Sequence, residues 1–114
     1  MADTFVLHIA PKAAWHACTD DYVDPSLDDE GFIHCSTPEQ LLIPANDRFA
    51  GRTDLVLLVI DTSAVPAETV FEDCYESGLD FPHIYGPIPK TAVTKTVPFP
   101  CQADGSFELP EGVS

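Results

Sequence analysis

Gly31-Phe32-Ile33-His34-Cys35-Ser36-Thr37-Pro38-Glu39-Gln40 changes conformation half-way along its length. From Phe32 to Ser36 the residues alternate as in a short strand, so His34 and Ser36 share one face while Ile33 and Cys35 take the other. Thr37 to Gln40 then reads as a helix start, with Thr37 as N-cap, Pro38 at the first helical position and Gln40 closing a capping box. Free N–H groups and the positive end of the helix dipole would favour a phosphate or carboxylate beside Ser36 and Thr37. The helix is expected to carry Leu41, Leu42, Ala45 and Phe49 on one face, with a kink or break at Pro44.

Two further histidines lie in similar apolar surroundings, Phe5-Val6-Leu7-His8-Ile9 and Phe81-Pro82-His83-Ile84-Tyr85-Gly86-Pro87. In the first, alternation puts Phe5, Leu7 and Ile9 on one side of a strand and Val6 with His8 on the other, so His8 faces away from the more apolar side. In the second, His83 and Tyr85 share a face, and Pro82, Pro87 and Pro89 imply an edge strand or a strand end. The fourth histidine, His16, follows the core anchor Trp15 on a short helix entered at Pro11 and reads as a surface residue. Each buried imidazole taken singly has a plain reading, a ring that packs and satisfies its own hydrogen bonds. Three on strands, each able to point away from an apolar face, make convergence in one cleft the sharper expectation, because histidine changes charge near neutral pH.

Leu55 to Ile60 is an unbroken apolar run of strand length and reads as a central strand covered on both faces. A strand over Glu68 to Tyr75 would put Val70, Glu72 and Cys74 on one face. Ala92 to Phe99 reads as a final strand and Gly105 to Leu109 as a hairpin arm. Residues 20–31 hold six Asp and Glu with a Pro and a Gly, the composition of a solvated loop.

The 114 residues fit one domain, 1–114, able to bury a real core. Five Lys and Arg stand against nineteen Asp and Glu, a formal charge of −14. That balance opposes the counterion release that drives binding to long nucleic acids and the attraction to anionic membranes. Neither a leader pattern nor a span-length apolar run is visible, so a cytoplasmic protein is expected. Cys18, Cys35, Cys74 and Cys101 are scattered, without a C-x-x-C pair, and read as free thiols.

Zinc on three imidazoles is a rival use of the histidines, but no H-x-H or H-x-x-x-H pair accompanies them, and no metal is assigned. A Cys35–His34 nucleophile pair fails on alternation, since neighbouring strand residues point to opposite faces. Neither a Gly-rich phosphate loop nor a G-x-S-x-G elbow occurs.

The first-strand His8, the Trp15 helix, Gly31 to Thr37 with Glu39-Gln40, the run Leu55 to Asp61, Phe81 to Pro87 and Ala92-Val93 together resemble the small bacterial proteins of domain-of-unknown-function family 952. The resemblance spans about residues 4 to 110. That family is in turn similar in fold to ADP-ribosyltransferases, and its opening segment looks like the start of the RNA 2'-phosphotransferases. The resemblance implies an α+β, ADP-ribosylation-like fold with few helices and two small, mostly antiparallel sheets around a cleft that in relatives holds NAD or ADP-ribose. It implies that His8 contacts a ribose and that His34, with Ser36 nearby, lies by the nicotinamide. Glu72 is the candidate for the late catalytic glutamate, while His83 and Tyr85 fill the late segment. The expected function is binding of an NAD-derived or ADP-ribose-containing small molecule, with transfer or hydrolysis at the ribose. His34, His83 and Glu72 are the candidate catalytic residues, and His8, Ser36, Thr37, Tyr85 and Gly86 the candidate binding residues. A non-catalytic nucleotide-binding module and a metal-dependent hydrolase are the alternatives. Whichever holds, the charge argument predicts no retardation of long DNA or RNA in a mobility-shift assay at low salt; a tight, steeply salt-dependent shift would contradict it.

Overall fold

The apolar run Leu55–Ile60 is buried from end to end because its two faces enter two different cores. The structure, a computed structural model, describes residues 5–73 and 78–110. In chain order its elements are β1 (Phe5–Pro11), α1 (Lys12–Ala17), β2 (Asp21–Tyr22), α2 (Pro25–Glu30), β3 (Ile33–His34) and α3 (Leu42–Arg48). These are followed by β4 (Leu55–Asp61), β5 (Thr69–Glu72), β6 (Phe81–Ile84), β7 (Ile88–Pro89) and β8 (Val93–Pro98). Antiparallel pairing builds two three-stranded sheets, β1-β4-β8 and β3-β6-β5, and a small β2-β7 ribbon. The architecture is therefore α+β, with short helices and small antiparallel sheets.

Alternation along β4 sends Val56, Leu58 and Ile60 into the core between the sheets, beside Val6, Ala10, Ile33 and Ile84. Leu55, Leu57 and Val59 enter the second core, beneath Leu41 and Ala45, with Phe99 and Phe107 stacked at 4.6 Å. A leucine wholly withdrawn from water contributes about 2 kcal/mol, so this one strand anchors both layers.

β1 lies beside β4 and is buried on both faces as well. The face carrying Val6 and His8 is thus not a polar side, as alternation alone implied, but part of the inter-sheet core. At the outer edge of β1, Leu7 and Ser36 exchange two backbone hydrogen bonds of 2.7 Å. Because β3 is itself the edge of the other sheet, the stretch from Ile33 to Ser36 steps from one sheet to the other and leaves them splayed.

Several local expectations are overturned. The capping box at Thr37 closes only a turn, with Gln40 N–H donating to the Thr37 carbonyl at 3.0 Å, and the helix begins at Leu42. Gln40 Oε1 still accepts from the Thr37 N–H at 3.5 Å while its Nε2 donates to the Asp80 carbonyl at 2.7 Å, so the box closes on a turn tied to Asp80 rather than on a helix. Ser36 and Thr37 therefore do not stand at a helix N-terminus, and the expected anion seat is not formed. Pro44 causes no kink, because it falls in the first turn of the shortened helix, where N–H groups have no intrahelical partner. Residues 20–31 are not a plain loop: Asp24 caps α2, Pro25 opens it, and Gly31, at φ +89°, ends it in the left-handed conformation that glycine adopts without strain.

Pro82 lies on a central strand rather than an edge. It sits across from Cys35, where β3 has ended, and its carbonyl still accepts from the Cys35 N–H at 3.0 Å. Gly105 to Leu109 forms no strand; Phe107 N–H donates to Asn46 Oδ1 at 2.8 Å and its ring closes the second core. The expected strand over Glu68 to Tyr75 is observed as β5, and Cys74 and Tyr75 lie outside the described residues. Trp15 packs on the inter-sheet core with the Lys90 ammonium 4.5 Å from its ring, and His16 is exposed. Among the described residues no helix is long and apolar enough to cross a membrane.

Gly86 is buried, and a Cβ there would stand 2.7 Å from the Ala67 Cβ. Gly86→Ala is therefore expected to destabilise the fold by about 1–3 kcal/mol through overpacking, read by urea denaturation. An unchanged midpoint would show that the Ala67 segment yields freely.

Candidate functional site

Splaying of the two sheets opens a cleft of about 460 Å³ between β1, β3, the start of β6 and the α2 and α3 segments. The structure brings His8, His34, His83 and Ser36 to its lining. Thr37, Glu72, Tyr85 and Gly86 are not part of that lining. Gly86 packs on Ala67, and Tyr85 is 42% exposed with its hydroxyl donated to Glu72. The opposite wall is apolar, built from Leu7, Ile9, Ile43 and Phe49, with Asp47 and Arg48 beside them.

Each cleft histidine is matched to a carboxylate of its own. His8 Nδ1 donates to the His34 carbonyl at 2.6 Å, while its Nε2 lies 3.1 Å from the Tyr22 hydroxyl. That hydroxyl donates onward to Asp24 at 3.4 Å. Asp24 Oδ1 itself lies 3.6 Å from His8 Nε2. Burial pushes the Asp24 carboxyl up, but hydrogen bonding and charge from His8, with the donors of Ser26, outweigh it and hold it well below the usual carboxylate range. Burial, then the Asp24 charge, drives the Tyr22 phenol up, so it stays a neutral relay.

His34 Nε2 donates to Glu30 Oε2 at 2.7 Å, and the ring edge meets Phe32 and His83 at centroid distances of 5.0 and 5.4 Å. His83 is fully buried, stacked on Phe32 at 4.0 Å, with Nδ1 donating to Glu72 Oε2 at 2.9 Å. Bonds from Tyr85 first and His83 second hold Glu72 below its ordinary value. Glu72 thus stands behind His83, ionised and orienting it, rather than facing the cleft. Cys35 does line the cleft, yet burial and the Asp24 charge push its thiol far up, leaving it protonated and a poor nucleophile. Among the described residues no three His, Cys, Asp or Glu side chains are grouped as ligands for a metal ion.

Sequence reasoning does not reach Tyr22, Asp24, Ser26 and Glu30, because the acidic stretch 20–31 reads as a solvated loop. The signal was present: Asp24-Pro25 followed by Gly31 is a helix start and stop.

The family described as "Protein of unknown function (DUF952)" matches residues 9–96. The chain belongs to this family. Its DUF952 fold is similar to the crystal structure of CC0527 from Caulobacter crescentus, with a TM-score of 0.82 and 29% identity over 93% of this chain and 95% of that one. The solution NMR structure of CC0527 superposes at a TM-score of 0.79, again at 29% identity, over 92% of each chain. No curated protein matches this DUF952 chain.

Because the ionised Asp24 is bonded only in the folded state, its contribution is present above the unfolded carboxyl pKa of 3.8 and lost as pH falls through the depressed folded value. Asp24→Asn is expected to cost about 2 kcal/mol near neutral pH. The gap to wild type should close as pH falls from about 4 toward 2 in urea denaturation series. A gap independent of pH would show that Asp24 acts by packing alone.

Proposed function

We propose that the cleft binds an NAD-derived or ADP-ribose-containing small molecule and performs transfer or hydrolysis at its ribose. The observation that carries this reading is the meeting of His8, His34 and His83 at one cleft, each with a carboxylate that orients it. Imidazoles held in fixed orientation suit hydrogen bonding to ribose hydroxyls and proton transfer near neutral pH. The apolar wall of Leu7, Ile9, Ile43 and Phe49 suits a flat heteroaromatic ring. Two splayed antiparallel sheets of this size also resemble the ADP-ribosylation-like architecture; that likeness speaks for the ligand class rather than for the chemistry.

A second reading, a non-catalytic nucleotide-binding module on the same fold, is favoured by the saturation of His8, whose two ring nitrogens are both bonded within the protein. In either reading His8 acts by holding His34 and Tyr22 in place. Turnover of NAD with release of nicotinamide separates the two.

ADP-ribose at a hundred times its dissociation constant should stabilise the protein by about 2.7 kcal/mol, seen as a raised Tm. His34→Ala is expected to weaken calorimetric ADP-ribose binding about tenfold, the loss of one bond to a charged group, with Tm nearly unchanged. A large fall in Tm with unaltered affinity would make His34 a structural residue. Absence of any shift with ADP-ribose or NAD would remove the nucleotide reading.

A further inference from the structure

We infer that Glu30 is a positioning residue for His34 and that this pair carries the proton transfer of the cleft. The second half rests on the ribose-centred reading above; the first stands on geometry alone.

The three cleft histidines are not equivalent. His8 is saturated, with Nδ1 on the His34 carbonyl and Nε2 on Tyr22. His83 has no exposed surface and gives Nδ1 to Glu72. The His34 side chain, by contrast, is 23% exposed, and its carboxylate partner Glu30 is 44% exposed. A group that exchanges protons with a ligand and then with water needs access to both, and among the three this pair has it.

Its geometry is fixed from several directions. Gly31 turns the chain sharply after α2, so that Glu30 returns to lie 2.7 Å from the ring four residues on. The His34 backbone is pinned on one side by pairing with His83 and on the other by the bond from His8 to its carbonyl. Phe32 and His83 meet the ring edge to face.

A carboxylate only accepts, so Nε2 of His34 carries hydrogen and the neutral ring takes up a proton at Nδ1. In the step this supports, an attacking hydroxyl gives its proton to Nδ1 as its oxygen lone pair bonds to the anomeric carbon of the ribose. The bond from that carbon to the leaving group breaks, and its electron pair departs with the leaving group. Glu30 balances the positive charge that the imidazole acquires, and the Nδ1 proton then leaves to solvent, which restores the Nε2–H form.

The test compares wild type with Glu30→Gln and Glu30→Ala, both changes at a largely exposed side chain. Nitrogen-15 correlation spectra of the imidazoles report each tautomer. His34 should be held in the Nε2–H form in wild type, keep it in Glu30→Gln, whose amide oxygen still accepts, and become mixed in Glu30→Ala. Turnover of NAD should fall about tenfold in kcat for both variants with KM little changed, a loss within the range of general acid–base effects. An Nδ1–H tautomer in wild type, or no change in Glu30→Ala, overturns the positioning role whatever the ligand. Wild type without NAD turnover overturns the proton-transfer role and the ribose-centred reading together, while the spectra still decide the positioning role. Full kcat in both variants overturns the proton-transfer role alone.

Discussion

Two sheet edges meet where β1 passes Ser36, and the cleft opens beside that joint. The Leu7–Ser36 backbone pair makes the joint, and one turn of the ladder away the His8 ring spans from its own strand to the His34 carbonyl. Lost backbone pairing at this depth would leave buried donors and acceptors without water, which is expensive in a low-dielectric interior. The joint therefore helps set the angle of the sheets, and with it the opening of the cleft that His8, His34 and His83 line.

The acidity of the chain has a different meaning at the cleft than over the surface. Most of the nineteen acidic residues serve solubility. Asp24, Glu30 and Glu72 are bonded to imidazoles, and each removes orientational freedom from a ring that would otherwise have two tautomers and two flips. α2 supplies two of the three from its two ends, Asp24 as N-cap and Glu30 as its last residue. A helix too short to be stable alone is justified here by what its ends hold.

Burial also sorts the chemistry. His83 is covered by Phe32 and burial keeps the Cys35 thiol protonated, whereas His34 keeps contact with solvent. A cleft can therefore line itself with several titratable groups and still present one of them for exchange. The apolar wall opposite, with Ile43 half exposed at its rim, adds surface for the body of a ligand.

Local patterns determined much of this from the chain alone. The strand at Leu55–Asp61, the opposition of His34 and Ser36 to Ile33 and Cys35, and the strand character around His8 and His83 follow from period-two alternation or an unbroken apolar run, which depend on neighbouring residues only. The convergence of three histidines was readable only as an expectation. Tertiary structure alone decided that Pro82 sits mid-sheet opposite the end of β3, that Gln40 ties its turn to Asp80, and that β1 is covered on both faces. It also decided the histidine partners: Glu72 lies eleven residues before His83, and Tyr22 fourteen after His8. Such pairs are set by strand register and by which sheet edges touch, and neither is carried by any local stretch of sequence.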